Sequence, residues 1–149
     1  GRIEATNYAL AHDDGISLDY ENADLVLVGV SRSGKTPTCL YMALNFGVKA
    51  ANYPLTQQDL ENQRLPASLR AHTGKIVGLM IDADRLAQIR ETRRPGTRYS
   101  SLRQCHWEVD AAESLLRANG VSVVHTTHSS IEEIASRILV SLGIQREMF

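Results

Sequence analysis

The chain is predicted to fold as an α/β domain: a parallel sheet flanked by helices. Apolar runs of strand length alternate along it with stretches whose apolar residues recur every three or four positions. The first run, residues 24–30, is apolar almost throughout, as in a parallel strand covered on both faces. At 149 residues the chain suits one domain, which buries about two thirds of its unfolded surface. Residues 1–23 read as an N-terminal helix and linker, and residues 24–149 as the main domain.

Arg2 to Ala11 is predicted to be a short helix, with Ile3, Tyr8 and Leu10 among its larger apolar residues, ending in the turn His12-Asp13-Asp14-Gly15. After the first strand, a helix from Thr36 carries Leu40, Ala43, Leu44 and Phe46 and stops at Gly47. Pro37 falls in its first turn, where a missing N–H costs little. Val48 to Tyr53 reads as a second strand closed by Pro54. Thr56 caps a short helix that runs to Arg64, before the Leu65-Pro66 break. Lys75 to Ile81 is the third strand, with Asp82 at its carboxyl end, and a helix follows from Asp84 to Thr92. Arg93 to Arg98 is a polar loop. The next helix places Leu102, Cys105, Val109, Ala112 and Leu116 on one stripe and ends at Asn119-Gly120. Val121 to Val124 is the fourth strand. Ser130 and Glu133 form a capping box for a last helix burying Ile131, Ile134, Ala135, Ile138, Leu139 and Leu142.

Residues Gly29, Val30, Ser31, Arg32, Ser33, Gly34, Lys35 and Thr36 fit the phosphate-binding pattern G-x-x-x-x-G-K-[ST] at every fixed position. They lie between a buried strand and a helix start, where backbone N–H groups and the helix dipole converge on an anion. The expected architecture is therefore like that of the P-loop nucleoside-triphosphate hydrolases. Lys35 would reach the terminal phosphates, and the Thr36 hydroxyl would ligate magnesium. In such sheets ligands sit beyond the carboxyl ends of the strands, where the loop, Asp82 and Thr126-Thr127 all fall.

A net charge of −1 supplies no global field that draws the chain to nucleic acid or membranes. No apolar run approaches the roughly 20 residues needed to span a bilayer, and no signal peptide is visible. Cys39 and Cys105 each sit in an apolar helical pattern and read as buried, reduced thiols, consistent with a cytoplasmic protein. The sequence leaves homodimerisation open.

Several residues invite a chemical role beside a plainer one. Asp82 can serve near magnesium and its water, or cap the helix that follows. Asp13 and Asp14 are possible catalytic carboxylates or simply part of a helix-ending turn. Arg85, Arg90, Arg93, Arg94, Arg98 and Arg103 crowd one stretch, as a phosphate-clamping lid or a solvated face. Arg98 and Arg103, flanking Tyr99-Ser100-Ser101, are the preferred phosphate ligands among them. His125 and His128 have no cysteine or carboxylate partner at ligand spacing, which argues against a metal site. These readings leave open an ordinary ATP-dependent small-molecule kinase and a non-catalytic nucleotide-sensing module.

The stretch from Gly29 to Pro37, followed by Ala51-Asn52-Tyr53-Pro54-Leu55, resembles the regulatory proteins of pyruvate, phosphate dikinase and phosphoenolpyruvate synthase. The likeness continues through Gly78 to Asp82, Ile89 to Arg93, Arg98 to Cys105 and Ser130 to Ala135, and includes Arg2 to Ala5 and His12 to Gly15. It implies a bifunctional enzyme that phosphorylates a threonine of its partner with ADP. The same enzyme removes that group with inorganic phosphate, releasing pyrophosphate. With ADP, phosphate and magnesium as the expected ligands, Lys35, Asp82 and Asp14 are the catalytic candidates, and the sequence does not choose among Asp82, Asp13 and Asp14 as the base. The Arg98 to Cys105 stretch leans toward the synthase-regulating branch. Members of that family are nearly twice as long, and the likeness places this chain in their C-terminal half. Some relatives carry an acid at the position of His125, so that residue is given no role.

Overall fold

The computed structural model describes residues 1–11 and 20–143. Asp13 and Asp14, with the turn they were assigned to, lie outside the described residues.

Four short strands build one all-parallel sheet: β1 (Leu25–Gly29), β2 (Ala50–Pro54), β3 (Ile76–Met80) and β4 (Ser122–His125). Their order is β2-β1-β3-β4, with Leu25 opposite Ala50 and Val26 opposite Ile76. Every residue of β1 and β3 is buried, because both strands are central and covered on both faces.

Side chains alternate across the sheet, so β1 feeds two separate cores. Val26 and Val28 pack with residues of α3 (Gln57–Asn62), α4 (Ala67–Arg70), α5 (Ala83–Arg93) and α6 (Leu102–Ala118). Leu25 and Leu27 pack on the other face with α1 (Arg2–Ala11), α2 (Lys35–Phe46) and α7 (Ile131–Leu142). The connection from β1 to β2 runs over the second face, and those leading to β3 and β4 run over the first. The chain thus reverses direction between β1 and β3, which opens a crevice at the carboxyl ends of these two strands.

Several local signals act as expected. Thr56 and Asp59 close a capping box on α3, and Ser130 and Glu133 close one on α7. Both cysteines are buried free thiols. Among the described residues no helix is long and apolar enough to cross a membrane.

Three details go beyond the sequence reading. The α1 helix turns Ala5 and Ala9 inward against α2, leaving Ile3 78% and Leu10 62% exposed. Small side chains let two helix backbones approach closely, so the bulky residues take the outside. The short helix α4 follows directly from Pro66, whose φ of −60° already suits a helix start. On α6, Leu102 is exposed, while Glu108 joins Cys105, Ala112, Leu115 and Leu116 on the buried side.

Candidate functional site

The loop after β1 fills the mouth of the crevice. Its first residue must be glycine: a Cβ on Gly29 would stand 2.7 Å from the carbonyl oxygen of Leu79 in β3 and 2.9 Å from Ser33 Oγ. Positive φ at Arg32 (71°) and Gly34 (96°) alternates the backbone hand along the loop. Such alternation gathers successive N–H groups into an anion-binding concavity. Among the described residues no protein acceptor takes the main-chain N–H of Arg32, Ser33, Gly34 or Thr36. Gly34 is also the N-cap of α2 and has no side-chain cap, so the positive end of the helix opens on the same point.

Two side chains fix the loop from inside. Ser33 Oγ donates to the Val30 carbonyl at 2.8 Å, and Lys35 Nζ donates to the same oxygen at 2.7 Å. Lys35 is only 5% exposed, so its cation is held against the loop instead of being left to solvent. Thr36 is exposed, and Asn52 Nδ2 donates to its hydroxyl at 3.3 Å.

The loop opens into a cleft of about 730 Å³. The far wall is α5, through Arg85, Ile89 and Arg93; Thr126, Thr127, Ile131 and Ile134 close another side. Arg32, Lys35, Arg85 and Arg93 give the lining four cations, and no carboxylate lies among the lining residues described. Asp82 sits next to Ile81 of the lining as the N-cap of α5, though its side chain makes no capping bond. Its carboxylate is exposed, 3.9 Å from His128 Nε2, and its N–H donates to Thr127 Oγ1 at 2.8 Å. Arg98 and Arg103 are both exposed and neither lines the cleft, whereas Arg85 and Arg93 of the same arginine-rich stretch do.

Behind the loop lies a buried polar cluster centred on Arg90, which is 0% exposed. Its guanidinium meets the Glu108 carboxylate through two parallel bonds, of 3.0 and 2.9 Å. It also donates to the carbonyls of Tyr99 and Ser31, each at 3.0 Å, and stacks 4.0 Å above the Tyr99 ring. The Tyr99 hydroxyl in turn bonds Ser31 Oγ at 2.6 Å. Burial alone would lower the Arg90 pKa, but the bonds and charge of Glu108 outweigh it and leave it raised. Burial raises the neighbouring Cys105 thiol, against the lowering effect of Arg90.

The family model for the kinase/pyrophosphorylases matches residues 1–139. This chain belongs to that family. Its relatives include proteins from Stenotrophomonas maltophilia (strain K279a), 56% identical, and Xanthomonas campestris pv. campestris (strain B100), 55% identical. A third, from Xylella fastidiosa (strain M12), is also 55% identical. In each case the alignment covers 148 residues, 99% of this chain and 54% of the relative. All three are provisionally named phosphoenolpyruvate synthase regulatory protein. The chain therefore spans about half the length of the curated relatives it matches.

In this kinase/pyrophosphorylase chain, sequence reasoning found the loop but not the Arg90–Glu108 pair behind it. A signal was available: Glu108 falls between Cys105 and Ala112 at helical spacing, on the side that packs inward.

Proposed function

We propose that this chain carries the nucleotide- and phosphate-binding centre of a bifunctional enzyme acting on phosphoenolpyruvate synthase. In one direction the threonine hydroxyl of the synthase takes the β-phosphoryl group of ADP, its proton passes to a base, and AMP leaves. In the other, inorganic phosphate takes the phosphoryl group from phosphothreonine, restoring the hydroxyl and releasing pyrophosphate. The names of the relatives favour the synthase over pyruvate, phosphate dikinase as partner.

The observation that carries this reading is the loop itself, with its N–H groups directed to no protein acceptor at the start of α2. A concavity of that kind, in a P-loop-like setting, suits the β-phosphate of ADP and inorganic phosphate alike. Lys35 and Arg32 would offset charge spread over the transferred group. Magnesium fits the donor set, because this ion is commonly held by one or two protein oxygens together with substrate phosphates. Thr36, exposed and oriented by Asn52, would be its protein ligand. When bound, the ion would neutralise phosphate oxygens. Asp82, at the edge of the cleft, or Asp14 would take the threonine proton.

Incubating the chain with ADP and the synthase, and following AMP and phosphothreonine, tests the reading. Lys35→Ala should abolish both directions together. Survival of either direction at the wild-type rate would refute a shared binding loop.

A further inference from the structure

We propose that Arg85 and Arg93 form a second phosphate subsite, which holds a phosphate-class anion while the loop holds a nucleotide. This rests on the loop reading above and adds to it a separate anion position in the same cleft.

Arg85, Ile89 and Arg93 follow one another at intervals of four residues, so they share one stripe of α5, and all three line the cleft. Eight residues of helix place the two arginine Cα atoms about 12 Å apart. Neither arginine has a carboxylate partner among the described residues; Arg85 bonds only Gln88 Oε1, at 3.3 Å. Arg90, one step round the same helix, by contrast commits both terminal nitrogens to Glu108 and backbone carbonyls. One helix thus carries one structural arginine and two whose planar forks face the cleft without a counter-charge. Planar forks of this kind suit phosphate oxygens. Lys35 and Arg32 already serve the loop, so the charge on α5 is surplus to a single phosphate there.

The loop takes the distal phosphate of ADP, so the anion at Arg85 and Arg93 is free phosphate, and a competition experiment with ADP tests it. Equilibrium dialysis against labelled inorganic phosphate, with and without saturating ADP, counts the sites. The expected result is two phosphates per chain without ADP and one with it. Arg85→Gln/Arg93→Gln should lose the phosphate that persists beside ADP and still bind ADP. Arg64→Gln/Arg70→Gln, which removes the same charge from exposed positions, should keep it. Displacement of all phosphate by ADP, or an undiminished count in the Arg85/Arg93 variant, would overturn the second subsite and leave the loop reading standing. If a folded wild-type chain binds no ADP, and Lys35→Ala changes no phosphate count, the loop reading itself fails.

Discussion

Arg90 Nη2 donates to the carbonyl oxygen of Ser31 at 3.0 Å, which ties α5 to the turn that follows β1. The same guanidinium is neutralised by Glu108 from α6, so three separated segments meet at one buried cation. Removing either ionic partner strands the other in the interior, a far larger loss than that of a surface pair.

Arg90→Met is expected to cost roughly 3–5 kcal/mol of stability, as for other broken buried pairs. Arg90→Met/Glu108→Leu removes both charges and should recover much of that loss. It should not recover ADP affinity, because Ser31 still lacks its donor. Urea denaturation and ADP titration of both variants check this. Full ADP affinity in the double variant would show that Arg90 does not position the loop.

Gly29→Ala is expected to destabilise by about 1–3 kcal/mol, the range for overpacking. The new methyl group would meet the Leu79 backbone and Ser33 Oγ. Because Leu79 belongs to β3, relief must come from shifting the loop, and phosphate binding should weaken in parallel. Thermal melts with and without phosphate are the measurement. A ligand-induced rise in Tm as large as that of the wild type would contradict the account.

Glu91 ties down the turn between α5 and α6: Ser100 Oγ donates to it at 2.6 Å and the Gly96 N–H at 2.9 Å. These bonds, that of Ser100 foremost, lower its pKa below the ordinary carboxylate value. A depressed carboxylate contributes stability above its unfolded pKa, about 4.3, and loses it as pH falls through the folded value. Protection of the Gly96 amide against exchange, corrected for intrinsic rate, should therefore hold at pH 6 and fall away in that acid range. Glu91→Gln should remove this pH dependence; an unchanged profile would refute the role of Glu91.

Cys105 is buried, and its raised pKa keeps the thiol protonated at neutral pH. Native protein at pH 7.5 (about one unit below a free thiol's pKa) should resist iodoacetamide at this residue and react fully once unfolded. Mass mapping of the labelled peptide reports the outcome. Native labelling at the unfolded rate would contradict the burial.

The layered sheet was readable because β1 is apolar on both faces and the breaks at Gly47, Pro54 and Gly120 are local. The loop was readable because Gly29 and Gly34 answer backbone demands, close approach at one and a positive φ at the other. What escaped depends on partners distant in the chain. Arg90 in isolation looks like any arginine in a run of them, and Glu108 like a solvated helix position. Only the approach of α5 to α6 makes both interior residues. The same holds for α1, whose buried side is not set by its larger apolar residues: contact with α2 selects Ala5 and Ala9. Which arginines of the stretch line the cleft, Arg85 and Arg93 and not Arg98 or Arg103, likewise depends on the side of α5 that meets it.

One rod now serves two purposes. Through Arg90 it braces the turn after β1, and through Arg85 and Arg93 it forms the opposing wall. The gap between the two halves of the cleft is consequently set by a single lever. Any tilt of that lever would shift the Ser31 turn and the arginine-bearing wall together, so the mouth of the cleft opens or narrows as one mechanical unit.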